Sequence, residues 1–252
     1  MRIEHPGIRQ LPALRQLWKT AFGDEDAFLD AFFTLAWEAD HSLCALEGED
    51  LAGMLYWLDC SCGGEKLGYV YAVATDPAFR GRGVCRRLLA QAQEEMTAHG
   101  CAGAVLVPGS AELRKMYEKL GWQTVTEVEE LNCKAEETGL RLHRIGAETY
   151  ARLRRQSLPE GGVVQEGRSL ALLASQETFF AGEQTLLAGH WDRGELKVTE
   201  FLGDPLTAPG ITAALGADRG SFRLPGRGTP FAMMRKFRES CPEIRYFGLA
   251  FD

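Results

Sequence analysis

The sequence predicts an α/β protein in two parts: alternating helices and strands over residues 1–135, and a smaller α+β domain over residues 140–252. Three observations carry this expectation. A β-prone run (Tyr69, Val70, Tyr71, Val73) stops at Asp76-Pro77. A glycine-bearing basic loop follows at Arg80-Gly81-Arg82-Gly83, and apolar residues then recur at Val84, Leu88, Ala92 and Met96 with helical spacing. Helical and strand periods alternate on both sides of that stretch. The second half also carries a faint echo of the first. Trp57-x-Asp59, Gly64-Glu65-Lys66-Leu67 and Asp76-Pro77 recur as Trp191-Asp192, Gly194-Glu195-Leu196-Lys197 and Asp204-Pro205, the last pair offset by 204 − 76 = 128 residues.

Taken in order, Pro12–Phe22 is an amphipathic helix with Leu14, Leu17, Trp18 and Phe22 on one face, ended by Gly23. Asp24 is placed to cap a second helix that runs through Trp37, with Phe28, Leu29, Phe32 and Phe33 apolar. Asp24, Glu25 and Asp26 either complement that helix dipole or form an acidic lip that attracts an ammonium group. Short strands are expected near Ser42–Glu47 and Leu51–Leu58, then a turn at Gly63-Gly64 and a strand over Leu67–Thr75. The helix from Val84 runs to His99, where Gly100 stops it. Ala104–Val107 reads as a short buried strand. Ser110 is placed to cap the helix that carries Tyr117, and Gly121 ends it. Gln123–Leu131 alternates as a strand, and the charged, aperiodic Lys134–Gly139 reads as the linker.

Strand, basic glycine loop and helix build an anion site from backbone. The first helical turn has N–H groups without internal partners and the positive end of the dipole, and glycines let an anion approach without meeting a Cβ. R-x-x-G-x-G by itself fits a basic turn on an ordinary helix equally well. It is neither a Walker loop nor a Rossmann fingerprint, because the Gly-Lys-Ser/Thr and the G-x-G-x-x-G spacing are missing. In context, a strand, D-P-x-[FY]-R-G-x-G and an amphipathic helix resemble motif A of the GNAT superfamily of acetyl-CoA-dependent N-acetyltransferases. Ser110 to Trp122 (SAELRKMYEKLGW) resembles that family's next helix, with its tyrosine and the ending Y-E-K-x-G-[FW]. The resemblance covers roughly residues 1–135 and implies a mixed, splayed central sheet flanked by helices. The echo suggests a second, degenerate GNAT-like unit. With no Arg-Gly loop after Asp204-Pro205 and only a short helix there, that copy is not expected to bind coenzyme. Arg223-Leu224-Pro225-Gly226-Arg227-Gly228 repeats R-x-x-G-x-G as a decoy: Pro225 lacks an amide, and Thr229-Pro230 reads as an N-cap and first helical residue outside the loop.

The resemblance also implies roles. Val73, Ala74 and Thr75 match the splayed strand whose backbone binds pantetheine, and the Thr75 amide matches the donor to the acetyl oxygen. Arg80, Gly81, Arg82, Gly83, Val84, Cys85 and Arg86 match the pyrophosphate loop. Tyr117 matches the general acid that protonates the coenzyme thiolate, against the alternative of a packing residue beside Leu113, Met116 and Leu120. Two positions depart from the family. Cys85 stands where glycine or alanine is usual, and its helix N-terminus beside Arg86 and Arg87 favours a thiolate unless burial prevails. Ser110, included among the coenzyme-binding residues, stands where asparagine is common, and helix capping explains it equally well. No general base can be assigned, since Leu67–Thr75 carries no carboxylate. Water relayed to Asp59, Glu47 or the Asp24–Asp26 cluster is one route. A more distant likeness to the enhanced-intracellular-survival type of aminoglycoside acetyltransferase offers a terminal carboxylate, here Asp252. His5, His41, His99, His143 and His190 carry no motif. Trp37, Trp57, Tyr69 and Tyr71 either line an acceptor pocket or belong to the core.

Composition bounds the function classes. A formal charge of −7 argues against a general nucleic-acid binder and suits a cationic amine substrate. Neither a charged-then-apolar leader nor a membrane-length apolar run is present, and seven irregularly spaced cysteines suggest reduced thiols, so a cytoplasmic protein with no membrane partner is expected. Cys60-x-Cys62 has no second pair or neighbouring histidine, so no metal is expected. The resulting expectation is direct transfer of acetyl from acetyl-CoA to a primary amine, a small cationic molecule rather than a protein, with the C-terminal domain shaping the acceptor site or a homodimer contact. The rival from another class is a catalytically silent acetyl-CoA sensor or scaffold.

Overall fold

The structure is a computed structural model that describes residues 1–251; Asp252, the terminal carboxylate considered above, lies outside the described residues. The chain divides into two compact units. Unit 1 holds Met1–Gln123 and Met233–Pro242, and unit 2 holds Thr124–Ala232 and the residues after Pro242.

In unit 1, strand β1 (Arg2–Glu4) precedes helix α1 (Leu11–Phe22), which has Pro12 in its first turn and Gly23 in the left-handed conformation after its end. Leu14, Leu17 and Trp18 form its buried stripe. Helix α2 is shorter than the periodicity suggests. It covers Asp26–Ala31 and passes into a π-wound turn over Phe32–Ala36, closed by Trp37 N–H on Phe32 O. The wider turn lets Phe28, Phe32 and Phe33 all reach the Trp18 ring, at 6.2, 4.6 and 6.2 Å. Asp24 does not cap α2; its carboxylate accepts the Trp18 indole N–H at 2.7 Å.

Strands β2 (Ser42–Glu47), β3 (Asp50–Cys62) and β4 (Glu65–Thr75) form an antiparallel meander joined to β1. Helix α3 (Val84–Ala98) crosses back so that β5 (Gly103–Leu106) runs parallel to β4. Helix α4 (Ala111–Lys119) and a two-residue β6 (Gln123–Thr124) follow. Val84, Leu88, Ala92 and Met96 bury one stripe of α3 against Leu55, Trp57, Val70, Ala104 and Leu106. Each large apolar side chain so buried contributes about 1.5–3 kcal/mol.

Unit 2 contains β7 (Glu127–Lys134), β8 (His143–Ile145), α5 (Ala147–Ser157), β9 (Val164–Gln165), α6 (Arg168–Gln176), β10 (Thr178–Gly182), β11 (Thr185–Asp192) and β12 (Glu195–Leu202). Next come α7 (Ala208–Ala214), β13 (Arg219–Pro225) and β14 (Thr229–Pro230). Its sheet runs β14-β7-β13-β12-β11-β10-β8. The element order of unit 1 recurs. An antiparallel hairpin (β11, β12) ends at an aspartate that caps a 3-10 turn, Asp204 Oδ1 accepting Leu206 N–H as Asp76 Oδ1 accepts Ala78 N–H. A helix then returns the chain to a strand parallel to the hairpin's second member. A fully buried pair anchors this unit: Arg154 makes two bonds to the Glu200 carboxylate (2.6 and 2.9 Å) and one to Val163 O, while Tyr150 donates to Glu200 at 2.6 Å.

The unit boundary differs from the sequence expectation of domains at 1–135 and 140–252. Gln123–Leu131 is not one strand. Val128, Leu131 and Cys133 turn inward along β7, which pairs antiparallel with β13 in the unit 2 sheet. The expected linker is hydrogen-bonded there too, Ala135 N–H to Asp218 O and Glu136 N–H to Pro209 O. Conversely, β15 (Met233–Lys236) pairs antiparallel with β5 and completes the unit 1 sheet, because Met233 and Met234 are buried on it. Thr229-Pro230 starts no helix: it is β14, paired with Val128 and Glu127.

Candidate active site

The site begins where β4 and β5 part. Their parallel register holds only for Leu67–Tyr69 against Gly103–Val105 and ends there, while β4 stays paired with β3 as far as Thr75. The β3–β4 register slips between Met54 and Tyr56, where β4 carries an extra residue, and Ala72 takes a left-handed φ of 47°. A non-glycine residue there stores strain on the order of 1–3 kcal/mol and turns the strand. Val73, Ala74 and Thr75 thus leave the last β4–β5 pair on a bent segment whose edge toward β5 is open. Gly53 lets helix α3 approach this bend, since a Cβ there would lie 2.7 Å from Val84 Cγ1 and 2.8 Å from Ala74 O.

The loop is built from the aspartate onward. Asp76 caps the turn Pro77–Phe79, and Arg80 Nε donates to Thr75 O at 3.4 Å. Gly81 and Gly83 both have φ of 76°, which a side chain resists. The Arg82 guanidinium lies over the Phe79 ring at 5.3 Å. The first intrahelical bond of α3 is Arg87 N–H to Gly83 O, so the amides of Val84, Cys85 and Arg86 precede the ladder. Arg80, Arg82 and Arg86 are exposed, and none is ion-paired among the described residues. Apart from Gly81 and its two chain neighbours, no protein atom lies within 4 Å of a Cβ built on Gly81. Free cations, unbonded amides and open space suit a polyphosphate.

Tyr117 is buried on α4, packed edge-on to Trp122 at 6.1 Å. Burial, with the nearby Cys85 thiol as a smaller cause, holds its phenol well above the ordinary tyrosine range. Of the two readings of Cys85, burial prevails: it pushes the thiol up to about 11, and a thiolate is not favoured. Ser110 is exposed, and its hydroxyl accepts Leu113 N–H at 3.2 Å, the capping role.

The aromatic residues separate. Trp57 lies beneath α3 and stacks on His41 at 5.2 Å, on the opposite face of the sheet from Tyr71. Tyr69 is buried, and Trp37 donates to Ser42 Oγ at 3.1 Å. The hub is Trp18, which sequence reasoning placed only in a helix stripe. Six rings (Phe22, Phe28, Phe32, Phe33, Tyr56, Tyr71) surround it within 6.2 Å, and Asp24 orients its indole. An aspartate six residues after a tryptophan was the available signal. Of the carboxylates considered as bases, Glu47 pairs with the Met1 amino group, Asp59 with Lys66, and Asp26 with Arg15 and Lys19. Among the described residues no group of His, Cys, Asp or Glu is arranged to hold a metal ion, and no helix is long and apolar enough to cross a membrane.

Residues 3–125 match the model of the GNAT acetyltransferase domain. No curated protein matches the sequence. Among solved structures, a GCN5-related N-acetyltransferase from Kribbella flavida is 17% identical with a TM-score of 0.71, over 93% of this chain and 70% of that one. One from Anabaena variabilis is 14% identical with a TM-score of 0.71, over 93% and 72%. Eis1 from Mycobacterium abscessus is 12% identical with a TM-score of 0.68, over 94% and 74%. At these identities the likeness is one of fold. The family model covers the bent strand, the arginine–glycine loop and the Tyr117 helix together. Residues 3–125 thus match a GNAT acetyltransferase domain, and the protein is an acyltransferase.

Proposed function

We propose that the protein is an N-acetyltransferase that moves the acetyl group of acetyl-CoA directly to a primary amine of a small cationic acceptor. The observation that carries this reading is the parting of β4 and β5 at Tyr69 and Val105, beside an arginine–glycine loop with free helix-terminal amides. The amides of Gly81–Arg86 and the guanidinium groups of Arg80, Arg82 and Arg86 are suited to the pyrophosphate, and the backbone of Val73–Thr75 to the pantetheine arm. The Thr75 amide would donate to the acetyl oxygen as negative charge develops on it. The acceptor must attack as the neutral amine, so it gives up one proton before the step and another after it. Tyr117 supplies a proton to the departing sulfur; burial keeps that phenol protonated across the working range. The −7 charge of the chain favours a cationic acceptor.

The test is thiol release from acetyl-CoA across a panel of polyamines, aminoglycosides, amino acids and peptides, with Tyr117→Phe alongside. Acceptor-dependent release that collapses in the variant is expected. Coenzyme binding without release from any amine is the behaviour of a sensor and would sink the enzymatic reading of this site.

A further inference from the structure

The helix that carries Tyr117 is short, nine residues, and its end is held from outside. The last carbonyls of a helix have no internal partners, and a cation suits the negative end of the dipole. Arg235 supplies both needs. It lies on β15 opposite Ala104 of β5, is half-buried, and donates from Nη1 to Leu120 O at 2.7 Å. Its guanidinium carbon is also 4.0 Å from where a Cβ on Gly121 would stand, and Gly121 has a left-handed φ of 85°. The turn it grips folds back on Tyr117: Leu120 N–H and Trp122 N–H both donate to Tyr117 O, at 2.9 and 3.1 Å. Trp122 is buried at 3% exposure and sets its ring against the Tyr117 ring at 65°. The Trp122 indole N–H has no hydrogen-bond partner, so packing and this turn, rather than a polar tether, hold its ring in place.

We propose that Arg235 is a positioning residue for acyl transfer. By clamping the Leu120–Trp122 turn it fixes Trp122 against Tyr117 and thereby the direction of the phenolic O–H. The inference rests on the reading of Tyr117 as the proton donor. It also gives strand β15 a task beyond joining β5 to β6 in the sheet, because a residue more than a hundred positions after Tyr117 aligns it (235 − 117 = 118).

The experiment is a double-mutant cycle on the full chain: Arg235→Met, Tyr117→Phe and both together, with kcat, the KM for acetyl-CoA and Tm read for each. Arg235→Met is expected to lower kcat about tenfold or more, the scale of a misplaced catalytic group, with the acetyl-CoA KM held within about twofold. In the Tyr117→Phe background the same substitution should change kcat no further. Arg235→Lys, whose ammonium can reach the same carbonyl, should recover most of the loss. Should Arg235→Met fail to fold, Arg235→Gln, which keeps the side chain polar but gives up the charge and the reach to Leu120 O, is read in the same cycle. Equal losses of kcat in both backgrounds would make Arg235 a general stabiliser and overturn the inference. Full turnover by Tyr117→Phe would overturn the reading of Tyr117 and the inference with it. A crippled Tyr117→Phe beside a fully active Arg235→Met would overturn the inference alone.

Discussion

Replacing Tyr117 by phenylalanine removes one oxygen and one transferable proton from a side chain that is 7% exposed, and leaves its packing against Trp122 in place. A positioned general acid contributes about 10²–10⁴-fold to rate, which is about 2.7–5.4 kcal/mol of barrier at 1.36 kcal/mol per decade. The loss should appear in kcat and leave the acetyl-CoA Kd nearly unchanged. Its pH dependence follows from the burial that raises the phenol above its ordinary value near 10. Below pH ~10 the phenol stays protonated, so turnover should rise with pH as the acceptor amine loses its proton and should show no descending limb from Tyr117. The same sign holds for stability: neutral Tyr117 favours the fold fully below the unfolded value and loses that contribution as pH climbs toward the raised one. The assay is kcat/KM between pH 6 and 10 for both proteins, in a constant-ionic-strength buffer. A descending limb between about pH 7 and 9 that disappears in Tyr117→Phe would mean that the phenol titrates there, and would refute the reasoning from burial.

Other outcomes follow from the same geometry. Alanine at Arg80, Arg82 or Arg86 should weaken acetyl-CoA binding about two- to fivefold each, an effect that calorimetry at low and high salt should find diminished by screening. Cys85, with its thiol pushed up to about 11, should react with iodoacetamide at pH 8 roughly two orders of magnitude more slowly than a peptide thiol, as mass spectrometry of the labelled peptide would register. Glu200→Gln leaves Arg154 buried without its counter-charge and should cost unit 2 about 3–5 kcal/mol, seen as an earlier urea transition. A fragment ending at Ala135 lacks β15 and exposes the β5 edge; it should be aggregated or unfolded by circular dichroism and gel filtration.

Much of unit 1 is legible because its signals are local. Gly23, Gly81, Gly83 and Gly100 sit where the chain needs positive φ, and the stripe Val84, Leu88, Ala92, Met96 reports its own period. The coenzyme loop is legible for the same reason: phosphate recognition by backbone demands glycines at fixed offsets. What the sequence hides is decided by partners far along the chain. Val128, Leu131 and Cys133 mark a strand but not which edge it joins, and Met233-Met234 gives no hint that its partner is Val105-Leu106. Asp24 reads as a cap because a preceding aspartate usually is one; only the fold brings it to the Trp18 indole. Cys85 was open because dipole and burial oppose each other, and burial cannot be read from spacing.

The exchange of β7 and β15 between the two sheets has a consequence for synthesis. A ribosome that has finished Gln123 has made every element of unit 1 except its last strand, and it must add 236 − 123 = 113 residues before Lys236 appears. At about 5–20 residues per second that interval is roughly 6–23 seconds, during which the hydrophobic β5 edge waits without its partner. The protein is therefore born with its catalytic half unfinished, and a nascent chain of this kind is a natural client for factors that shield unpaired strands.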